Sequence, residues 1–230
     1  MTEAITTSQR KTSFGDWFAQ NWILVFIVVY GVWVWSPFLA PIFMRLGLET
    51  PANFVYWIYS FFCHQFAERS YFLFGENISY ALSEIQSAGV TELTPLNLRR
   101  FIGNETMGWK VAWSDRMISF YGGIWLVTLL FYTIRNKIKK LPIWGFVLFL
   151  LPMFFDGITH TISDFAGPGQ GFRSSNLWLA RLTSFAFSRS FYAGDMLGSF
   201  NAWMRIITGL LAAVGLVWFG FSFLFSSDSE

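Results

Sequence analysis

Four stretches of the chain run almost unbroken in apolar residues for the length of a membrane crossing: 21–43, 117–134, 143–159 and 202–225. Runs of roughly 18 or more such residues mark spanning α-helices, because a bilayer core is about 30 Å thick. The runs are continuous rather than alternating, which argues against β-barrel strands. Pro152 interrupts the third. The first is too long for a signal-peptide core and lacks a small-residue cleavage site, so it is read as retained. The pattern predicts an all-α polytopic membrane helical bundle with four spanning helices.

A fifth aromatic segment, 52–75, behaves differently. Its middle carries Cys63, His64, Gln65, Glu68 and Arg69, and each charge at mid-bilayer costs about 2.5–3.5 kcal/mol. A half-helix or interfacial helix from residue 52 to about 66, stopping at residues 63–65, is cheaper than a fifth span. Further on, Ile78, Leu82 and Ile85 share one face of an expected amphipathic helix. Thr94 and Pro95 suit the N-cap and first position of another. The glycines and serines of 166–176 read as a loop.

Basic residues orient the bundle. Arg135, Lys137, Lys139 and Lys140 crowd the short connection between the second and third runs, and Arg10 and Lys11 precede the first. Short basic loops stay in the cytoplasm, so both termini are expected there, with residues 45–116 and 164–201 outside. Composition agrees with membrane residence: 54% of residues are hydrophobic and 13% charged, against about 25% charged in soluble domains. The mean hydropathy is positive. A net charge of +2 is too small to suggest a nucleic-acid partner. Integral residence in the plasma membrane is the expectation.

This topology sends polar groups from separate pieces of chain to one membrane face. Cys63 and His64 end the half-helix there, and Asp115 and Arg116 begin the second span. Asp156, His160 and Asp164 leave the third at four-residue spacing, one helical stripe. Ser199, Asn201 and Arg205 open the last. Cys63, His64, Asp156, His160 and Asp164 are ligand types that a divalent metal such as zinc prefers, although no diagnostic spacing is present. The plainer alternative is that the acid–histidine pairs hydrogen-bond one another. Arg69, Arg116 and Arg205 could grip a phosphate, or pair internally with Glu68, Asp115 and Asp156. By residue count, Asp156 lies at a depth comparable to Arg205 and is its expected partner. Gly122, Gly123, Gly209 and Gly215 suit close helix packing.

At four places the chain resembles an uncharacterised membrane family, domain of unknown function 2085. "FFCHQFAERSYFLFG" is similar to its Cys-His-Gln, Arg-Ser motif. "DRMISFYGG" resembles its Arg-containing approach to a span, "LPMFFDGITH" its Pro–Asp-Gly–Thr element, and "GSFNAWMRIITGLLAA" its Ser-Asn, Arg-x-x-Thr-Gly element. The resemblance covers about 61–213, with outer insertions at about 76–111 and 165–197. It implies a membrane location and no established activity. Ser114 stands where members usually have a second cysteine, and His160 where glutamine is common. With a single cysteine, an intrachain disulfide and a two-thiolate metal site are both ruled out.

The expected organisation is a disordered cytoplasmic tail at 1–15, a single membrane domain at 16–225 carrying the two outer insertions, and a cytoplasmic tail at 226–230. The ligand-binding candidates are Arg69, Arg116, Asp156, Ser199, Asn201 and Arg205. The expected function is an outward-facing polar pocket that binds a lipid head group or other small ligand, or service as a subunit of a membrane complex. Membrane lipid and other membrane subunits are the partners expected. The alternative is a metal-dependent membrane enzyme acting on a lipid head group, with His160 or His64 as general base. The residues alone do not decide whether the protein is an enzyme.

Overall fold

Four helical segments are long and apolar enough to cross a membrane: Phe14–Arg45, Asp115–Ile134, Ile143–Asp164 and Phe200–Leu224. A computed structural model describes residues 13–224, the Asn136 side chain excepted. In chain order the elements are α1 (Phe14–Trp35), α2 (Leu39–Arg45), α3 (Glu49–Tyr59), β1 (Ser70–Leu73), α4 (Leu82–Ser87), α5 (Pro95–Arg100), β2 (Gly103–Asn104), β3 (Gly108–Ser114), α6 (Asp115–Met117) and α7 (Gly123–Ile134). There follow α8 (Ile143–Asp164), α9 (Phe172–Ser175), α10 (Leu177–Leu182), α11 (Arg189–Tyr192) and α12 (Phe200–Leu224). The first crossing bends through a tight turn at Ser36–Phe38, where Pro37 sits, into α2. The second joins α6 to α7 through a π-helical turn, Ile118–Gly122.

Trp22 and Phe131 both pack on Phe221, and the Trp218 indole donates to the Lys139 carbonyl at 2.8 Å. The start of α1, the basic connection and the end of α12 therefore share one end of the bundle. Residues 46–114 and 165–199 form a cap at the other end. Helix backbones approach closely where side chains are missing. A Cβ on Gly209 would lie 2.4 Å from Ser119 Oγ, one on Gly215 2.4 Å from Phe149 Cβ, and one on Gly31 2.6 Å from Trp125 Nε1. Gly122, by contrast, faces open space. Outward residues such as Val28, Val32, Leu148 and Phe155 are exposed, an apolar surface suited to lipid.

Several expectations need correction. Phe14 and Gly15 are already helical, with Asp16 accepting from the Ser13 N–H at 3.2 Å. Residues 1–12 of the expected tail, and residues 225–230, lie outside the described residues. Pro152 does not interrupt α8, which continues five residues past the expected end. The half-helix is shorter than expected. It ends at Tyr59, a turn follows at 60–62, and residues 63–66 are irregular, with Gln65 at φ +55°. The end is fixed from outside, since Gln65 Nε2 donates to the Tyr56 carbonyl (2.9 Å) and Arg99 to that of Ser60 (2.8 Å). Such orphan carbonyls at a helix C-terminus need partners.

The cap also contains an antiparallel sheet, ordered β1-β3-β2, within an otherwise helical protein. Ser70 pairs with Ser114, Phe72 with Lys110 and Gly103 with Trp109, with a register shift between Ser70 and Phe72. Ile78 belongs to no helix. It is exposed, and its carbonyl accepts from Phe72 N at 2.8 Å. Only Leu82–Ser87 is helical there, and its Ile85 enters a core with Phe72, Tyr80, Leu98 and Met107. Thr94 does cap α5, accepting from Asn97 N at 3.2 Å. The stretch expected as a loop at 166–176 contains α9, which carries Arg173.

Candidate functional site

Strand β3 runs directly into α6, so Asp115 and Arg116 stand where cap meets membrane. The 156/160/164 stripe of α8 rises to the same level, and Arg205 comes from the second turn of α12. The cap contributes Arg69 from the turn before β1. Segment 165–199 contributes Arg173 and Asp195.

These residues pair in two chains. Asp164 takes Arg69 bidentately, with contacts of 2.7 and 2.8 Å, and Arg69 Nε reaches Asp195 at 3.2 Å. Asp195 in turn accepts from Arg205 Nη1 at 2.6 Å. Arg205 completes the chain by gripping Asp115 through Nε and Nη2 at 2.7–2.9 Å. In the second chain, Asp156 accepts from Arg116 (2.7 Å) on one oxygen and Arg173 (2.6 Å) on the other. Arg205 therefore pairs with Asp115 and Asp195, and the expected Arg205–Asp156 pair does not form. Depth along a helix was legible from residue counts, but the direction each side chain faces around the bundle was not. Glu68 is no partner of Arg69 either. Its Oε2 is buried without a hydrogen bond.

Outside the spans, the electrostatics can be stated. Burial would raise the Asp195 carboxyl, but Arg69 and Arg205 beside it hold it well below the usual carboxylate range. Burial opposes the charge of Arg69, yet Asp195 and Asp164 hold its pKa above the ordinary value. Glu68, with no such hydrogen-bonded partner, is pushed up to about 7 by burial, against the pull of Arg69.

Next to this network lies a cavity of about 470 Å³, lined by Cys63, His64, Arg69, Arg116, His160, Asp164 and Arg205 among others. His160 is 3% exposed, and its Nε2 lies 2.9 Å from Arg173 Nη2. A guanidinium only donates, so Nε2 is the acceptor and the neutral ring carries its proton on Nδ1. That N–H has no acceptor among the described residues, nor has Arg116 Nε. The unmatched polar atoms of the cavity-lining residues in the network are thus hydrogen-bond donors. Buried donors without partners are costly, and they suit a ligand rich in acceptor oxygens.

The other expected residues fall into place around this cavity. Ser199 and Asn201 do not line it. Ser199 accepts from Ala202 N, and Asn201 donates to the carbonyls of Arg173 and Gly194, bracing segment 165–199 against α12. Asp156 also stands behind the wall, holding Arg116 and Arg173. Cys63 Sγ accepts from the backbone N–H groups of Gln65 and Ser114, at 3.3 and 3.4 Å, and His64 is exposed. Among the described residues, no three His, Cys, Asp or Glu side chains gather closely enough to hold a metal ion. With the His160 Nε2 lone pair committed to Arg173, the five metal candidates do not form a ligand set as arranged. Sequence reasoning missed Arg173 and Asp195. A signal existed for Asp195, which is the only acidic residue between Asp164 and Asp228 while four arginines share that stretch.

A family profile described as "Predicted membrane protein (DUF2085)" matches residues 105–219, half of the chain. That span holds Arg116, Asp156, His160, Arg173, Asp195 and Arg205, and the Cys63–Arg69 turn precedes it. An uncharacterized protein of Methanocaldococcus jannaschii is 28% identical over 153 residues, covering 62% of this chain and 75% of its own length. No solved structure matches the chain.

Proposed function

Because the chain belongs to a family of predicted membrane proteins, domain of unknown function 2085, we propose that it is an integral plasma-membrane protein whose cap-side cavity binds an oxyanion, most simply the phosphate of a lipid head group. One observation carries this reading. The cavity gathers Arg69, Arg116 and Arg205 around a neutral His160, and the unmatched buried atoms of Arg116 and His160 are donors. Preorganised donors at the edge of a low-dielectric membrane interior favour an anion more strongly than the same groups in water. The cavity lies at the membrane boundary, within reach of lipid head groups. Lipid and neighbouring membrane subunits are the partners this position favours.

The basic connection at 135–140 supports an orientation with both termini in the cytoplasm and the cavity outside. A head-group enzyme using a bound metal is the weaker reading, because His160 would first have to give up its hydrogen bond to Arg173. Two measurements test the proposal. In a Cys63→Ala background, a cysteine at Ser87 should react with an impermeant thiol reagent in intact cells and one at Lys137 should not. The reverse labelling would put the cavity in the cytoplasm. Purified protein should bind inorganic phosphate by calorimetry or retain phospholipid in native mass spectrometry, and Arg116→Gln should weaken binding at least tenfold. Absence of both phosphate and phospholipid binding in the wild-type protein would overturn it.

A further inference from the structure

A second cavity, of about 330 Å³, adjoins the first and shares Phe66, Arg69 and Asp164 with it. Its polar lining has the opposite sense. Glu68, Asp164 and Asp195 face it, and two of them are already engaged by arginines. Glu68 is the exception. It is 7% exposed, and its buried Oε2 accepts no hydrogen bond. Lys110 is the other cation whose charge reaches it, but the Lys110 Nζ is committed to the carbonyls of Gln65 (2.7 Å) and Arg99 (2.6 Å). A buried carboxylate with one oxygen left without a donor carries a desolvation penalty that a donor-bearing cation or a proton relieves. Buried donors without acceptors lie on residues that line the first cavity, and a buried acceptor without a donor lies on one that lines the second.

Resting on the anion-binding reading above, we infer that the two cavities are halves of one site for a zwitterion. The first holds the oxyanion against Arg116 and His160, and the second holds a protonated primary amine against Glu68. The Arg69–Asp164 pair lines both cavities and stands where they adjoin. Asp164 retains 40% side-chain exposure, so this divider is open at one edge rather than sealed. The chemical class is an aminoalkyl phosphate, free or as the head group of a lipid. A quaternary ammonium fits the second subsite less well, because it has no N–H to offer Glu68.

Calorimetry on the detergent-purified full chain, with inorganic phosphate, ethanolamine, O-phosphoethanolamine and O-phosphocholine as probes, tests this directly. O-phosphoethanolamine should bind at least tenfold more tightly than each of the other three. Glu68→Gln should abolish that advantage while leaving phosphate affinity within about twofold. Equal affinities for phosphate and O-phosphoethanolamine in the wild-type protein would overturn the zwitterion site and leave the anion subsite standing. Binding of neither probe, with no retained phospholipid, would overturn the anion reading as well. The wild-type series decides the matter even if the Glu68 variant fails to fold. Native mass spectrometry from nanodiscs then separates the sources. Preferential retention of phosphatidylethanolamine over phosphatidylglycerol assigns the lipid, and tight binding of the free compound without that preference assigns a soluble ligand.

Discussion

Which carboxylate holds Arg205 can be decided by two double-mutant cycles. Arg205 is 2% exposed and Asp115 3% exposed, and three contacts of 2.7–2.9 Å join them. Arg205→Met would leave Asp115 with only the backbone N–H of Arg116 (2.7 Å). Stranding a buried charge in this way costs about 3–5 kcal/mol. Asp115→Leu should cost less, roughly 2–3 kcal/mol, because Asp195 still accepts from Arg205 at 2.6 Å. Removing both should cost less than the sum, with a coupling of about 2 kcal/mol. The control cycle pairs Arg205→Met with Asp156→Leu. Those residues have separate partners, so their losses should add within about 0.5 kcal/mol. Depth does not distinguish the two carboxylates, because Arg205 lies only about 7–8 Å into its helix at 1.5 Å per residue. The assay is equilibrium unfolding of the detergent-solubilised protein against a denaturing detergent, followed by tryptophan fluorescence. Additivity for Arg205 with Asp115, or strong coupling for Arg205 with Asp156, would refute the arrangement.

Three other expectations concern the cap and the bundle. Lys110→Met should destabilise the protein by roughly 1–3 kcal/mol for each of the two buried carbonyls it leaves unpaired, measured in the same unfolding assay; a loss below about half a kcal/mol would show that neither bond matters. Stability should also pass through a minimum near pH 7. Burial raises Glu68 to about 7, so its contribution is present below the unfolded value near 4.5 and is lost as pH rises through 7. Burial lowers Lys110 to about 7, so its contribution is present above about 10.5 and is lost as pH falls through 7. Glu68→Gln should flatten the acid limb and Lys110→Met the alkaline one, and a profile unchanged in both variants would contradict the assignment. Finally, Gly31→Ala places a Cβ 2.6 Å from Trp125 Nε1 and should break the 2.9 Å bond from that indole to the Ile27 carbonyl. The expected cost is about 1–3 kcal/mol, and a variant as stable as the wild type would mean that α1 and α7 are not held by this contact.

What the sequence discloses about this protein follows from what each pattern measures. Hydrophobic run length measures a bilayer thickness, so the four spans were legible, with end errors of up to seven residues. Four-residue spacing measures a helical face, so the stripe of Asp156, His160 and Asp164 was legible too. The sheet was hidden because its longest strand is buried along nearly its whole length and β1 has only four residues. Gly108–Ser114 is buried at every position but the last, leaving no alternation to read. Ser70–Leu73 lies inside an aromatic segment that resembles a helix as much as a strand.

The charge network was half legible, for a physical reason. Its membrane half is conspicuous because an arginine or aspartate inside an apolar run must have a partner. Its cap half is not, because Arg173 and Asp195 lie among glycines and serines, where charge is ordinary. Yet Asp156 needs both Arg116 and Arg173, and Arg205 needs both Asp115 and Asp195. Asp156 and Arg205 are therefore each matched once from the bundle and once from segment 165–199. Asn176 within that segment and Asn201 on α12 both donate to the Arg173 carbonyl and so position that second partner of Asp156. Segment 165–199 thus completes the ion pairs, and the buried donors left over are those that neither it nor the bundle satisfies. A ligand that supplies their acceptors would be held by the bundle and the cap together, and its binding should tighten the cap onto the membrane helices.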